Sequence, residues 1–200
     1  MASYPDLPNP DLLDRIPRGA HVVLDVGCAT GALGAGFKRF SPRTRVLGID
    51  HDAEAAALAA TRLDAVAVSD VETDPFPFPD EAVDCIVYGD VLEHLRDPWA
   101  LVRRHMERLS PDGTILICLP NVEHWSFAAR LMQGTWRYEE SGLLDQTHLR
   151  WFTLETTREA LASLGLSPFD IHPRIFDAER ADAFIDALTP ALSALGVTKE

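Results

Sequence analysis

Long apolar runs are missing from this chain. None of its 200 residues lies in a run approaching the roughly 18 that a membrane-spanning helix needs. The first 19 residues are rich in Pro and Asp and lack the basic and apolar regions of a secretion signal. The sequence therefore reads as a cytoplasmic protein with no membrane partner. Cysteine is scarce: Cys28, Cys85 and Cys118 are an odd number without a disulfide framework. Cys85 and Cys118 sit within apolar runs and read as buried, reduced thiols. No Cys or His–carboxylate spacing resembles a ligand set, so no metal is expected. Positive charge is also in deficit, 18 Lys and Arg against 31 Asp and Glu, for a formal net charge of −13. Such a body repels phosphate backbones. The densest basic group, Arg103, Arg104 and Arg108, falls within one helical segment and reads as a solvated face. Nucleic acid is accordingly not expected as a partner.

What is present is alternation. Short apolar runs at 21–26, 45–50, 65–69, 83–88 and 114–119 read as strands, with helical patterns between them. Helices are expected at 35–40 and 53–62, the second capped by Asp52. Asp97 followed by Pro98 opens another, in which Leu101, Val102, His105, Met106 and Leu109 recur at helical spacing. Residues 110–113, Ser-Pro-Asp-Gly, read as a turn. Thr153 caps a late helix that stops near Gly165, residues 170–176 read as a sixth strand, and 178–195 as a last helix kinked at Pro190. This order predicts an α/β, Rossmann-like, doubly wound and mostly parallel sheet. The division expected is an N-terminal extension (1–20), a cofactor-binding domain (21–176) with a helical and aromatic lid (121–152) after the fifth strand, and a C-terminal helix (177–200). No seventh strand is legible, so the sheet lacks one or the chain belongs to a longer protein, and an exposed edge invites a homodimer or a further domain.

Parallel sheets bind ligands at the carboxyl ends of their strands. There the sequence places Asp25-Val26-Gly27-Cys28-Ala29-Thr30-Gly31, a glycine-rich turn with Ala29 where the dinucleotide fingerprint has glycine. Asp50 ends the second strand, about 20 residues on, where an acid holds ribose hydroxyls. His51 beside it has a ring suited to adenine. Asp70 ends the third strand, and Gly89-Asp90-Val91 ends the fourth. Acids closing three successive strands beyond a glycine turn point to a nucleotide-type cofactor.

With these motifs the chain resembles the class I S-adenosylmethionine-dependent methyltransferases, in particular a small-molecule bacterial branch near ubiquinone-biosynthesis methylases and glycan-associated methyltransferases. The resemblance rests on residues 25–31, on Gly48-Ile49-Asp50, on residues 78–84, on Asp90-Val91-Leu92-Glu93-His94-Leu95, on residues 119–122 and on 142–153. It implies S-adenosylmethionine as cofactor. Gly27, Cys28 and Gly31 would face its methionine part and ribose, Asp25 would orient the loop near the methionine amino group, Asp50 would bind the ribose, and Asp70 and Val71 would frame the adenine. Gly89 and Asp90 would line the same cleft.

The methyl group of a sulfonium is already electrophilic, so the protein must align the acceptor and exclude water. A hydroxyl acceptor must also lose a proton. His94, just beyond the fourth strand, and His148, before the late helix, are both candidate catalytic groups, with His124, Trp125, Asp145 and Arg150 as candidate acceptor contacts. Trp125, Phe127, Trp136, Tyr138, Trp151 and Phe152 crowd residues 121–152, as an aromatic lid over a small-molecule or glycan acceptor or as a satellite core. O-methylation is the expected reaction. A nicotinamide-dependent oxidoreductase and a non-catalytic module of a larger protein are the alternatives; Ala29 and Asp70 count against the first, the intact cofactor residues against the second.

Overall fold

A computed structural model describes residues 6–174 and 176–197. β1 (Val22–Val26) is central because four of its five residues are buried, leaving it no solvent face. It pairs in parallel with β2 (Arg45–Asp50) through Leu24 opposite Leu47, and with β4 (Val83–Gly89) through Leu24 opposite Ile86. β3 (Ala65–Val68) and β5 (Leu109–Cys118) complete the sheet, which is parallel throughout in the order β3-β2-β1-β4-β5. The winding reverses between β1 and β4. That reversal is the switch point where ligands bind in doubly wound sheets.

Helices cover both faces. α1 (Pro10–Arg15), α2 (Ala32–Lys38) and α3 (Ala53–Ala59) enclose a core of Leu12, Ile16, Phe37, Val46 and Cys85. The opposite core gathers Leu24, Leu47, Ile86 and Tyr88 beneath Leu101 and Val102 of α4 (Pro98–Met106). Caps define the helix starts as the sequence indicates. Asp52 accepts from the backbone amides of Glu54 and Ala55, and Asp97 from that of Ala100. Thr153 forms a reciprocal capping box with Thr156 at the start of α6 (Leu154–Ser163). The segment ahead of β1 contributes Leu12, Ile16 and Ala20 to the core.

Three elements depart from expectation. β5 begins at Leu109, and the Ser-Pro-Asp-Gly turn is absorbed into it as an irregularity where the register shifts between Val83 and Cys85. No strand forms at 170–174. Pro173 lacks a donor for a ladder, and ion pairs fasten the segment to α1 instead: Asp170 to Arg15 (2.9 Å), His172 to Asp11 (3.4 Å) and Arg174 to Asp11 (2.9 Å). Ile175 lies outside the described residues. α7 (Ala178–Ala194) runs through Pro190 without a break. Among the described residues no helix is long and apolar enough to cross a membrane.

The excursion between β5 and α6 closes at its base. Val122 donates its backbone amide to the Phe152 carbonyl at 2.9 Å, and Asn121 bridges Phe152. Within it lie α5 (Trp125–Met132) and a second bridge between Glu139 and Asp145. Its ends meet above the carboxyl ends of β4 and β5, which sets residues 145–151 over the fourth strand's turn.

Candidate active site

The glycine loop is held by the end of β2. Gly27 and Cys28 both donate their amides to the Ile49 carbonyl, at 2.8 and 3.0 Å, and the Ala29 amide donates to Asp50 Oδ2 at 2.7 Å. Gly27, Ala29 and Gly31 have φ of 71, 45 and 77°. Glycine tolerates that region freely, whereas alanine there carries a penalty of roughly 1–2 kcal/mol. Ala29 thus occupies a left-handed position with the wrong residue for comfort. A Cβ on Gly31 would lie 3.1 Å from Ala59, so α3 fits closely against the loop. From the other side Asp6 accepts from Thr30 Oγ1 at 2.6 Å and pairs with Arg62, which draws its carboxyl well below the usual carboxylate range.

The acids expected at the strand ends are there. Asp25 is buried in β1, its Oδ2 has no hydrogen-bond partner, and burial, with Asp50 nearby, pushes its carboxyl up to about 7. Asp50 is 7% exposed and divides its oxygens between the Ala29 and Asp52 amides. His51 is largely exposed, with Nδ1 3.6 Å from Asp50. Asp70 is exposed after β3, where the Glu72 amide and neighbouring donors hold its carboxyl low. The Val71 carbonyl accepts from the Arg104 guanidinium. Asp90, beyond Gly89, has φ 56° and accepts from the Cys118 thiol at 3.3 Å. Burial raises Cys28 far above the ordinary thiol range and pushes Cys85 and Cys118 up to about 12, which disfavours the thiolate at all three free cysteines. An outward-turned loop, an acid on its amide and an orphaned buried carboxylate oxygen fit a nucleotide cofactor with a cationic amino-acid tail.

The turn after β4 abuts this loop. A Cβ on Gly27 would stand 2.4 Å from Val91 Cγ2. Two residues on, in the single turn Leu92–His94, lies Glu93, which is 1% exposed and whose Oε2 has no hydrogen-bond partner. Its carbonyl accepts from the Leu149 and Arg150 amides at 2.8 and 3.0 Å, which clamps the 145–151 segment onto the turn. His148 is brought to it, Nε2 to Oε1 at 3.9 Å, and its ring meets the His94 ring edge-on at 4.8 Å between centroids. Burial pushes the Glu93 carboxyl up to about 8, and lowers His148, aided by the charge of His94. His148 Nδ1 makes no hydrogen bond of ordinary geometry, although the Leu143 backbone favours the protonated ring. His94 Nδ1 lies 3.0 Å from Thr147 Oγ1, which lies 2.6 Å from Asp145 Oδ1. Trp151 and the Phe127–Trp136 pair stack edgewise behind His148.

The fold therefore joins His94 to Asp145 and His148 from a distant loop, and adds Glu93 and Thr147, the latter 53 residues from His94, which spacing alone did not single out. Although no metal was expected from spacing, Glu93, His94 and His148 bring one potential ligand atom each within 4.8 Å of one another. Ligand spacing was invisible because it arises from the clamp between the β4 turn and a distant loop. Other expected acceptor contacts have structural partners. His124 caps α5 and bonds Ser126 Oγ at 2.8 Å. Trp125 packs on Phe184 of α7. Arg150 donates its guanidinium to the Arg96 carbonyl. Tyr138 is 60% exposed and Trp136 40%, so the aromatics of the excursion divide between a small core around Phe127 and open surface.

Known proteins resemble this chain in sequence and in fold. A family model described as a methyltransferase domain matches residues 5–169. A probable S-adenosylmethionine-dependent methyltransferase of Mycolicibacterium smegmatis is 29% identical over 170 residues, 82% of this chain and 65% of its own length. The ubiquinone biosynthesis O-methyltransferase of Cereibacter sphaeroides is 24% identical over 173 residues, 84% of this chain and 68% of its own. The chain spans 33 to 65% of the length of several curated relatives it matches. The structure of the plantazolicin methyltransferase BpumL with S-adenosylhomocysteine (SAH) superposes with a TM-score of 0.59 at 18% identity, covering 90% of this chain and 72% of that one. Its likeness lies in the fold. With the domain match running from before the first strand to beyond α6, the chain belongs to the class I S-adenosylmethionine-dependent methyltransferases.

Proposed function

We propose that the protein methylates a hydroxyl oxygen of a small-molecule or glycan acceptor, seated beside the joined β4 turn and 145–151 segment. When bound, S-adenosylmethionine supplies a methyl group on a sulfonium, electrophilic without further activation. The glycine loop and Asp50 would hold its ribose, and Asp25 would face its methionine end. Val91 against Gly27 fixes how far the β4 turn stands from that loop.

The observation that carries the hydroxyl reading is the convergence of one buried carboxylate and two imidazoles at this place. An amine acceptor needs only to arrive neutral. A hydroxyl has to give up its proton, and the cluster is rich in groups that promote this and poor in competing cations. The Trp151 ring beside His148 and the buried Phe127 offer a flat apolar wall to a ring-shaped acceptor. The ubiquinone-biosynthesis relative is named as an O-methyltransferase, which supports the same choice.

The test is turnover of S-adenosylmethionine to SAH against paired acceptors, each phenol or sugar matched with its amine analogue. Hydroxyl members should react and their amine partners should not. His148→Ala and His94→Ala should each lower turnover by roughly 10²–10⁴-fold, the share usually carried by proton transfer, with SAH affinity unchanged. Reaction of the amines alone, or full turnover in both variants, overturns the reading.

A further inference from the structure

We propose that α7 is a dimerisation helix whose partner is the α7 of a second copy of this chain, packed antiparallel along one apolar seam. The inference goes beyond the methylation reading and does not rest on it.

The seam is written in the sequence and left open by the fold. Ala178, Ala181, Ile185, Leu188, Leu192 and Leu195 recur at spacings of 3, 4, 3, 4 and 3. That repeat lines one side of a helix with apolar side chains and packs it against another helix. Yet α7 has no buried residue. It packs against α5, with the Phe184 and Trp125 rings 5.9 Å apart between centroids. Along the helix only Ala181, Phe184 and Leu188 are partly covered; Ile185 remains 54% exposed and Leu195, at the C-cap, 77%. The helix is nevertheless firmly ended. Gly196 has φ 70°, the Gly196 amide donates to the Ser193 carbonyl at 3.1 Å, and the Val197 amide donates to the Leu192 carbonyl at 2.9 Å. Those two bonds make a Schellman stop. A finished helix with an uncovered seam calls for a partner.

Charge narrows the choice of partner. Residues 183–197 hold one ionisable side chain, Asp186, in a chain where 24% of residues are charged and the net charge is −13. The acids of the helix, Glu179, Asp182 and Asp186, fall on its flank and far side. A membrane-bound helix carries Lys and Arg there, so an anionic lipid surface would repel this one. A neutral apolar strip instead matches itself.

Two-fold symmetry then fixes the pairing. With the axis midway between Leu188 and Leu192, these two leucines meet crosswise, and Ile185 of each copy meets Leu195 of the other. Pro190, at the centre, turns to the far side and stays out of the seam. The antiparallel order sets Asp186 level with Ala194, whereas a parallel order sets like charges level with each other. The 17 residues of α7 make a strip about 25 Å long and 10 Å wide. Two such strips with their rims bury no more than about 1,000 Å² in total, the low end of specific interfaces. Repulsion between two acidic bodies opposes so small a contact. The dimer should therefore be of micromolar affinity and tighten as salt rises.

The experiment is sedimentation equilibrium of the full-length protein from about 1 to 200 µM, a range that spans micromolar affinity. A reversible monomer–dimer equilibrium is expected, tighter at high salt. Ile185→Glu and Leu192→Glu should each weaken it at least about 10-fold, since each buries a charge in the seam twice over. Phe169→Glu, at an exposed apolar residue outside α7, should leave it unchanged. SAH calorimetry on each variant reports that the cofactor domain is intact. Thiol cross-linking in air gives the direction without a buried charge: a mixture of Ile185→Cys and Leu195→Cys should join as a mixed disulfide faster than either variant joins itself. A monomer over the whole range overturns the proposal. A dimer unmoved by both glutamate variants also overturns it, because the copies then meet elsewhere, as at the open edge of β5. Faster self-joining of Ile185→Cys overturns the antiparallel seam.

Discussion

Adding one methyl group at Gly27 tests whether the β4 turn and the glycine loop form a single wall. Gly27 has φ 71°, so an alanine there meets a backbone cost of roughly 1–2 kcal/mol. Its Cβ would also stand 2.4 Å from Val91 Cγ2, while Val91 Cβ and Cγ1 would remain at 3.6 Å. One of the two must move, and forced repacking of this kind costs about 1–3 kcal/mol. Gly27→Ala should therefore lose about 2–5 kcal/mol, a large part of the roughly 5–15 kcal/mol that holds a domain together. Val91→Ala removes the one atom responsible for the clash. In that background Gly27→Ala should cost only the backbone share, so the double-mutant cycle should show a favourable coupling of about 1–3 kcal/mol. Urea unfolding of the four proteins measures it. SAH calorimetry on the same set shows whether the loop keeps its shape. If Gly27→Ala costs the same with and without the Val91 methyls, Val91 is not the wall, and the placement of Glu93 and His94 beside the cofactor loop loses its support.

Three further outcomes follow from the same geometry. Ala29 sits at φ 45°, and Ala29→Gly should stabilise the fold by up to about 1 kcal/mol; a lower urea midpoint would contradict the strain. Asp50→Ala should weaken SAH binding by about 1–3 kcal/mol through lost ribose bonds and a freed Ala29 amide, with Asp50→Asn losing less; unchanged affinity in calorimetry would remove Asp50 from the site. His105 is 2% exposed, bonds the Tyr88 hydroxyl at 2.9 Å, and is held by burial at about 4. Its unfolded form takes up a proton near pH 6.5, so stability is fully present above that pH and falls as pH drops toward 4, by about 3 kcal/mol. His105→Gln should flatten that part of the urea-midpoint profile; an equally steep profile would refute the assignment.

The parts of this molecule that sequence reveals are those governed by local rules. Alternating apolar runs gave β1 to β4 within a residue or two, and Asp52, Asp97 and Thr153 cap the helices they were expected to cap. Gly27, Gly31 and Asp50 come together because one strand end faces its neighbour in any parallel sheet. What failed depended on distant partners. Residues 170–174 carry strand-like side chains, but Asp11 and Arg15 of α1 capture them as ion pairs before any ladder forms. The turn at 110–113 was drawn into β5 by pairing with β4. Glu93 entered the sequence reading only as one residue of the motif at 90–95. Only the descent of Leu149 and Arg150 onto its carbonyl buries it and delivers His148 to its side. Charge alone gave no hint of that, because burial of an acid is decided by what covers it.

The position of the cofactor's sulfur relative to Glu93, His94 and His148 decides most directly whether this cleft is the active site. A crystal structure of the protein with SAH measures this. The ribose is predicted on Asp50, the homocysteine end beside Asp25, and the sulfur turned toward the Glu93–His94–His148 cluster beneath residues 145–151. SAH bound elsewhere, or bound in the cleft with its sulfur facing away from that cluster, would contradict it.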